Sequence, residues 1–120
     1  MSDRERNPDC LFCRIVSDEI PARKVAEDEL VVAFHDIAPR SPTHVLVIPK
    51  AHIASAADLT DDDGPVLGRM FATLARIARE AGIADDGYRI VSNIGRWGGQ
   101  SVDHLHLHLM GGRAFDWPPG

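Results

Sequence analysis

The segment richest in chemistry is His104-Leu105-His106-Leu107-His108-Leu109. An extended chain turns successive side chains to opposite faces. The alternation therefore predicts three imidazoles on one face and three leucines on the other. The leucines belong in a core, and the imidazoles line a pocket or a surface. Imidazole titrates near neutral pH, so such a row can supply a nucleophile, a proton donor and a metal ligand. Two chemistries remain open from the spacing alone. One is a histidine nucleophile with two helpers. The other is a catalytic metal centre, since histidines two apart on a strand can share one ion. A merely solvated strand face would leave the strict alternation without a cause.

The residues around the row add to this picture. Gly95, Gly98 and Gly99, then Gln100 and Ser101, lead directly into the histidines. Glycines let backbone N–H groups approach an anion closely, and a serine hydroxyl adds a donor. A plain turn would use the same glycines, but beside three histidines the loop reads as a phosphate cradle. It is not a Walker loop, because no Gly-Lys-Ser/Thr follows. Asp36 follows Phe34 and His35 at the end of an expected strand. A carboxylate there accepts hydrogen bonds from both hydroxyls of a ribose, or caps a turn. Cys10 and Cys13 are the only cysteines. Their C-x-x-C spacing, in a chain expected in the cytoplasm, suggests metal or redox work over a structural disulfide.

The elements that must position these groups follow from periodicity and punctuation. The chain has 120 residues, enough for one domain and one real core. Residues 1–9 are polar and are expected to be a disordered lead to a single domain over 10–120. Residues 10–17 predict a short helix with Leu11, Phe12, Ile15 and Val16 on one side, broken at Ile20-Pro21. Strands are expected over 24–27, 30–35 and, after a proline-bounded turn, 44–49. The best helix spans 61–81. Thr60 can cap it, Asp61, Asp62 and Asp63 favour its positive end, and Pro65 is tolerable near its start. Leu67, Met70, Phe71, Leu74, Ile77, Ala78 and Ala81 form its apolar stripe, and Gly82 ends it. Asp86-Gly87 turns into a strand over 88–93, and the histidine row is expected inside a strand over 101–110. Helix, strands, long helix, strands is the order of an α+β fold with an antiparallel sheet. One long helix covers one sheet face only, so the short helix, loops or a partner chain must cover the other.

Composition narrows the function classes. The chain is 44% apolar and 26% charged, which is ordinary for a globular domain. Its formal net charge of -5 gives no long-range attraction for nucleic acid, while a locally positive pocket can still hold a small phosphorylated ligand. No apolar signal segment follows the polar N-terminus, and no apolar run is long enough to span a bilayer. A cytoplasmic protein with no membrane partner is expected.

Three stretches together resemble the histidine triad (HIT) family: Phe34-His35-Asp36-Ile37, Pro42 through Lys50, and Gly99 through His108. The resemblance covers residues 10–120. The terminal Trp117-Pro118-Pro119-Gly120 resembles the purine nucleoside phosphoramidase branch rather than the dinucleotide hydrolase branch. It implies an α+β fold with a five-stranded antiparallel sheet, one long and one short helix, and a homodimer that continues the sheet to about ten strands. It implies that His106 attacks the α-phosphorus of a purine nucleoside phosphoramidate or acyl-adenylate, forming a nucleotidyl-histidine that water then hydrolyses. His108 would bond the phosphate and assist proton movement, with His44 in the same proton network. Ser101, Gln100 and the Gly99 region would hold phosphate oxygens, and Asp36 the ribose hydroxyls, with Asn93 nearby. Leu11, Phe12, Ile15, Phe34, His35 and Ile37 would line the purine pocket. AMP or GMP would be released, and no cofactor would be needed for catalysis.

The resemblance also raises a structural zinc. Some relatives bind one through positions that match Cys10, Cys13, His52 and His104, while the branch with the Trp-Pro-Pro-Gly tail often manages without it. The alternative is that both cysteines are simply buried and His104 donates to a backbone carbonyl. Two further functions stay in view: a nucleotide-binding regulatory module with incidental turnover, and a hydrolase that uses the histidine row as metal ligands.

Overall fold

The computed structural model describes residues 4–120. In chain order its elements are helix α1 (Leu11–Val16), strands β1 (Lys24–Glu27), β2 (Val31–His35) and β3 (Thr43–Pro49), helix α2 (Gly64–Glu80), and strands β4 (Arg89–Val91) and β5 (Leu107–Gly111). All strand pairs are antiparallel, in the order β1-β2-β3-β5-β4. This is the expected α+β architecture. No helix among the described residues is long and apolar enough to cross a membrane.

The sheet has two differently covered faces, and the strand alternation separates them. Val31, Ala33, Val45 and Val47 point to one face, where they meet Met70, Leu74, Ile77 and Ala78 of α2. Val32, Phe34, Leu46 and Ile48 point to the other, where they meet Phe12, Cys13, Ile15 and Val16 of α1. The short helix therefore covers the second face over β2 and β3. Because β3 is buried on both sides, it reads as an unbroken apolar run instead of an alternating one. Leu105, Leu107 and Leu109 all join the α2 side, as the alternation requires.

Four local expectations need correction. The lead expected to be disordered is fastened from Arg4 onward; residues 1–3 lie outside the described residues. The Arg4 guanidinium pairs with the carboxylate of Asp63, and His52 N–H donates to the Arg4 carbonyl at 2.8 Å. That pairing, with the Thr60 N–H bond at 2.8 Å, holds Asp63 down to about 2, so its charge is buried in a paired state. The long helix begins at Gly64, because Asp61–Asp63 forms a tighter 3-10 turn first. It stops at Glu80, and Gly82 then takes φ +75, a left-handed conformation that glycine adopts without strain. On α2, Phe71 is 45% exposed and Ala81 is exposed, while Thr73 is buried, so the buried stripe is narrower than hydropathy alone indicated.

The last correction concerns the histidine row. The strand expected over 101–110 is only Leu107–Gly111. Its ladder with β3 ends at the Val47–Leu107 pair. Continuing it would bring Leu105 opposite Pro49, which has no N–H to donate. Instead Leu105 N–H bonds the Ile53 carbonyl at 2.6 Å, and His104 N–H turns back on the Val102 carbonyl at 2.9 Å. His104 and His106 thus precede the strand, and His108 alone lies on it.

Leu74 is fully buried where α2 meets the sheet. Leu74→Ala should lower the unfolding free energy by about 2–5 kcal/mol, the cost of lost transfer plus a cavity. Urea denaturation should show a lower midpoint with an unchanged slope.

Candidate active site

A cavity of about 690 Å³ opens between α1 and the sheet face that carries His108. Its apolar wall includes Leu11, Phe12, Ile15, Phe34 and Leu46, and its polar groups include Asp36, Ser101, His106 and His108. Phe12 ties the helix to the site. Its ring meets that of His106 edge to face at 5.1 Å and 85°, and that of Phe34 at 5.6 Å. Such contacts hold imidazole planes in one orientation.

Backbone groups decide which nitrogen of each imidazole carries its proton. His106 Nδ1 donates to the carbonyl of His104 at 2.7 Å. A neutral ring with its proton on Nδ1 has its lone pair on Nε2. The Arg40 N–H donates to His44 Nδ1 at 3.0 Å, so the His44 proton sits on Nε2. His44 Nε2 lies 2.9 Å from His108 Nδ1 and donates to it, which leaves the His108 proton on Nε2. The rings of His106 and His108 are 5.0 Å apart. A ring with a free lone pair thus stands beside a ring with a free N–H, both on the wall of one cavity.

Burial favours the neutral forms of His108 and His44. Burial pushes His108 down to about 4, with the neighbouring His106 and His44 rings adding to the shift and Asp36 opposing it. Burial lowers His44 as well, partly offset by Asp36, whose Oδ2 lies 3.4 Å from His44 Nε2. Asp36 also accepts the Ala38 N–H at 2.7 Å, so it caps a turn and faces the cavity at once.

A second cluster sits behind the row. His104 Nδ1 lies 3.3 Å from Cys10 Sγ, 3.6 Å from Cys13 Sγ and 3.2 Å from His52 Nδ1, while Cys13 Sγ is 3.3 Å from His52 Nδ1. Tetrahedral zinc at its ordinary bond lengths separates sulfur from nitrogen by about 3.5 Å and nitrogen from nitrogen by about 3.3 Å. The four donor atoms therefore fit that ion. His104 Nε2 meanwhile donates to the Pro49 carbonyl at 2.8 Å, which frees Nδ1 to ligate. The two readings of His104, backbone donor and ligand, describe its two nitrogens. Burial raises the Cys13 thiol above its ordinary value, so an ion would have to displace its proton.

With this geometry in hand, comparison with known proteins decides the family. The HIT domain pattern matches residues 17–115. The chain belongs to the HIT domain family. It is 48% identical over 103 residues to the purine nucleoside phosphoramidase of Escherichia coli, covering 86% of this chain and 87% of that protein. A HIT family hydrolase from Legionella pneumophila superposes with TM-score 0.92 at 49% identity, covering 93% of this chain and all of that one. A histidine triad nucleotide-binding protein from Candida albicans gives TM-score 0.77 at 32% identity, covering 92% and 83%.

Within this HIT site the residues named from sequence separate into groups. Asp36, Ser101, His106 and His108 line the cavity, as do Leu11, Phe12, Ile15, Phe34, His35 and Ile37. His44 stands behind His108. Asn93, Gly99 and Gln100 are not on the cavity wall. Gln100 braces the loop, donating to the Ala54 and Val102 carbonyls at 2.7 and 3.0 Å and accepting from Gly95 N–H at 2.9 Å. Gly99 takes φ +82 and lets the chain turn into Ser101. Sequence reasoning missed residues 20–23, Pro39, Leu46 and Val102 on the wall. Only the strand register could have found Leu46, which pairs with both Phe34 and His108.

The low value of His108 sets a pH signature. The folded ring binds its proton less readily than the unfolded chain does, so its contribution to stability is complete above about 6.5, the ordinary value of an imidazole. It is lost as pH falls toward about 4. In nitrogen NMR His108 should stay neutral at pH 6 and titrate near 4, and His108→Asn should flatten the loss of stability across that window.

Proposed function

We propose that this HIT-family hydrolase cleaves the bond to the α-phosphate of purine nucleoside 5'-phosphoramidates or acyl-adenylates through a covalent nucleotidyl-His106 intermediate. The observation that carries this reading is the 2.7 Å bond from His106 Nδ1 to its own chain's carbonyl, which presents Nε2 as a lone pair in the cavity. The likeness to a purine nucleoside phosphoramidase supports the substrate class.

The chemistry runs in two displacements. His106 Nε2 attacks phosphorus, a nitrogen–phosphorus bond to the ring forms, and the bond to the leaving amine breaks. The bound phosphoryl anion raises the proton affinity of His108, which takes up a proton with the substrate and gives it to the departing amine. Having given its Nε2 proton to the amine, His108 presents that nitrogen's lone pair to accept the proton of the attacking water. Water breaks the phosphorus–nitrogen bond and releases the nucleoside monophosphate with His106 restored. Ser101 and the His108 N–H are the donors for the non-bridging oxygens, where charge develops in the transition state. Asp36 holds the ribose hydroxyls, and the apolar wall over Phe34 and Leu46 takes the base. His44 keeps His108 in its Nε2–H form.

Cys10, Cys13, His52 and His104 hold a structural zinc in this reading. Bound there, zinc would join α1 to the segment before β5 and add folding energy and not catalysis, with His104 as a ligand and His106 left free.

Two experiments test these statements. AMP release from a lysine–AMP phosphoramidate should fall by about 10⁴-fold or more in His106→Asn. Rapid quenching of the native enzyme should trap one nucleotide mass on the peptide containing His106. Activity in the variant equal to that of the native protein would sink the nucleophile. Metal analysis should find one zinc per chain, lost in Cys13→Ser together with several degrees of melting temperature. Turnover by folded protein should be indifferent to a chelator; loss of turnover on chelation would instead favour a catalytic metal.

A further inference from the structure

A row of paired residues crosses the sheet, and its first three members, on β5, β3 and β2, lie on the cavity wall. His108 on β5 faces Leu46 on β3, Leu46 faces Phe34 on β2, and Phe34 faces Lys24 on β1. Strands lie about 4.8 Å apart, so the row runs roughly 14 Å from the reacting histidines. At its far end is Arg23, which lines the same cavity and whose carbonyl accepts the His35 N–H at 3.0 Å. Among the described residues, the Arg23 guanidinium has no hydrogen-bond or ion-pair partner. A neighbouring cation, Lys24, is by contrast engaged by Asp18 and Glu27 at 2.7 and 3.1 Å.

This placement orders the ligand. With phosphorus at His106 and ribose at Asp36, the base lies over Leu46 and Phe34 with its outer edge toward Arg23. The purines differ at that edge: a 6-oxopurine carries an acceptor oxygen where adenine carries an amino donor. Arginine has donors only and pairs bidentately with O6 and N7 of guanine, whereas it opposes the adenine amino group donor to donor. Leu11, Phe12, Ile15, Phe34, Ile37 and Leu46 on this wall are apolar and accept either ring, and His35 also lines it.

We propose that Arg23 reads the 6-position of the base and makes this enzyme selective for 6-oxopurine nucleotides, guanosine and inosine, over adenosine. The inference rests on the nucleotide-hydrolase reading above and names the substrate class of that site. The guanidinium acts on binding and transition state alike, because the base stays in place through both displacements, so the selectivity belongs to kcat/KM.

The test compares guanosine, inosine and adenosine 5'-phosphoramidates carrying the same amine, in the native protein, Arg23→Ala and Arg23→Gln. The native protein should prefer guanosine and inosine over adenosine by about tenfold in kcat/KM. Arg23→Ala should remove the preference. Arg23→Gln should turn it toward adenosine, since glutamine offers an acceptor to N6 and a donor to N7. A merely damaged site would lower all three substrates without such a reversal. A ratio unchanged by either substitution, or inosine behaving as adenosine does, overturns the proposal. Calorimetric binding of GMP, IMP and AMP separates it from the parent reading. GMP bound over AMP with no phosphoramidate turned over would sink the hydrolase and leave the base reading standing. Turnover without base preference would do the opposite.

Discussion

The hydrogen bond from His106 Nδ1 to the carbonyl of His104 is the contact on which the site depends. It exists because the chain leaves the sheet before Leu107. Inside a ladder, a strand carbonyl is spent on the neighbouring strand. Here, beyond the last pair of β3 and β5, the carbonyls of His104 and Pro49 are free to accept ring N–H groups. Each thereby sets which nitrogen of an imidazole is bare. One bare nitrogen faces the cavity and the other faces two thiols. A regular strand through residue 104 would have spent these carbonyls on the ladder and left the rings of His104 and His106 without a backbone partner to set their tautomers. The early end of the strand converts a row of similar rings into three different reagents.

That arrangement needs a sheet covered unequally. α2 buries the face with the three leucines, which anchors β5 from behind. α1 covers the other face only over β2 and β3, and Phe12 closes it against His106. The space left between α1 and this face is the cavity. The expected zinc ligands span the same joint, since Cys10 caps α1, Cys13 lies within it, and His104 precedes β5. Packing of α1 and orientation of the reactive ring are thus one problem. This is why a helix of 6 residues, too short to be stable by itself, is held at both ends.

Legibility from sequence divided along physical lines. Period-two alternation in residues 104–109 depends on local sterics and one buried face, so it was readable, and the leucines do share a core. The types of Asp36, Ser101, His106 and His108 were readable because few side chains supply that chemistry, and the cavity gathers all four. Phe71 was misplaced because an amphipathic stripe counts apolar side chains without knowing the width of the surface they meet. The lead before Cys10 was misread because the pairing of Arg4 with Asp63 joins residues 59 apart in the chain, and no local pattern announces it.

The sequence by itself determined the fold class, the order of the elements, the family and the inventory of reactive groups, since all of these rest on short-range periodicity and residue chemistry. Only the tertiary structure decided where the last strand begins, which nitrogen of each ring holds a proton, that Gln100 braces a loop and is not on the cavity wall, and that Arg23 stands at the far end of the row from His108. Each of these turns on which backbone groups and side chains come together from distant positions, and the energy of a hydrogen bond or a ladder pair belongs to both partners. One strand's letters do not say where its neighbour's proline will fall.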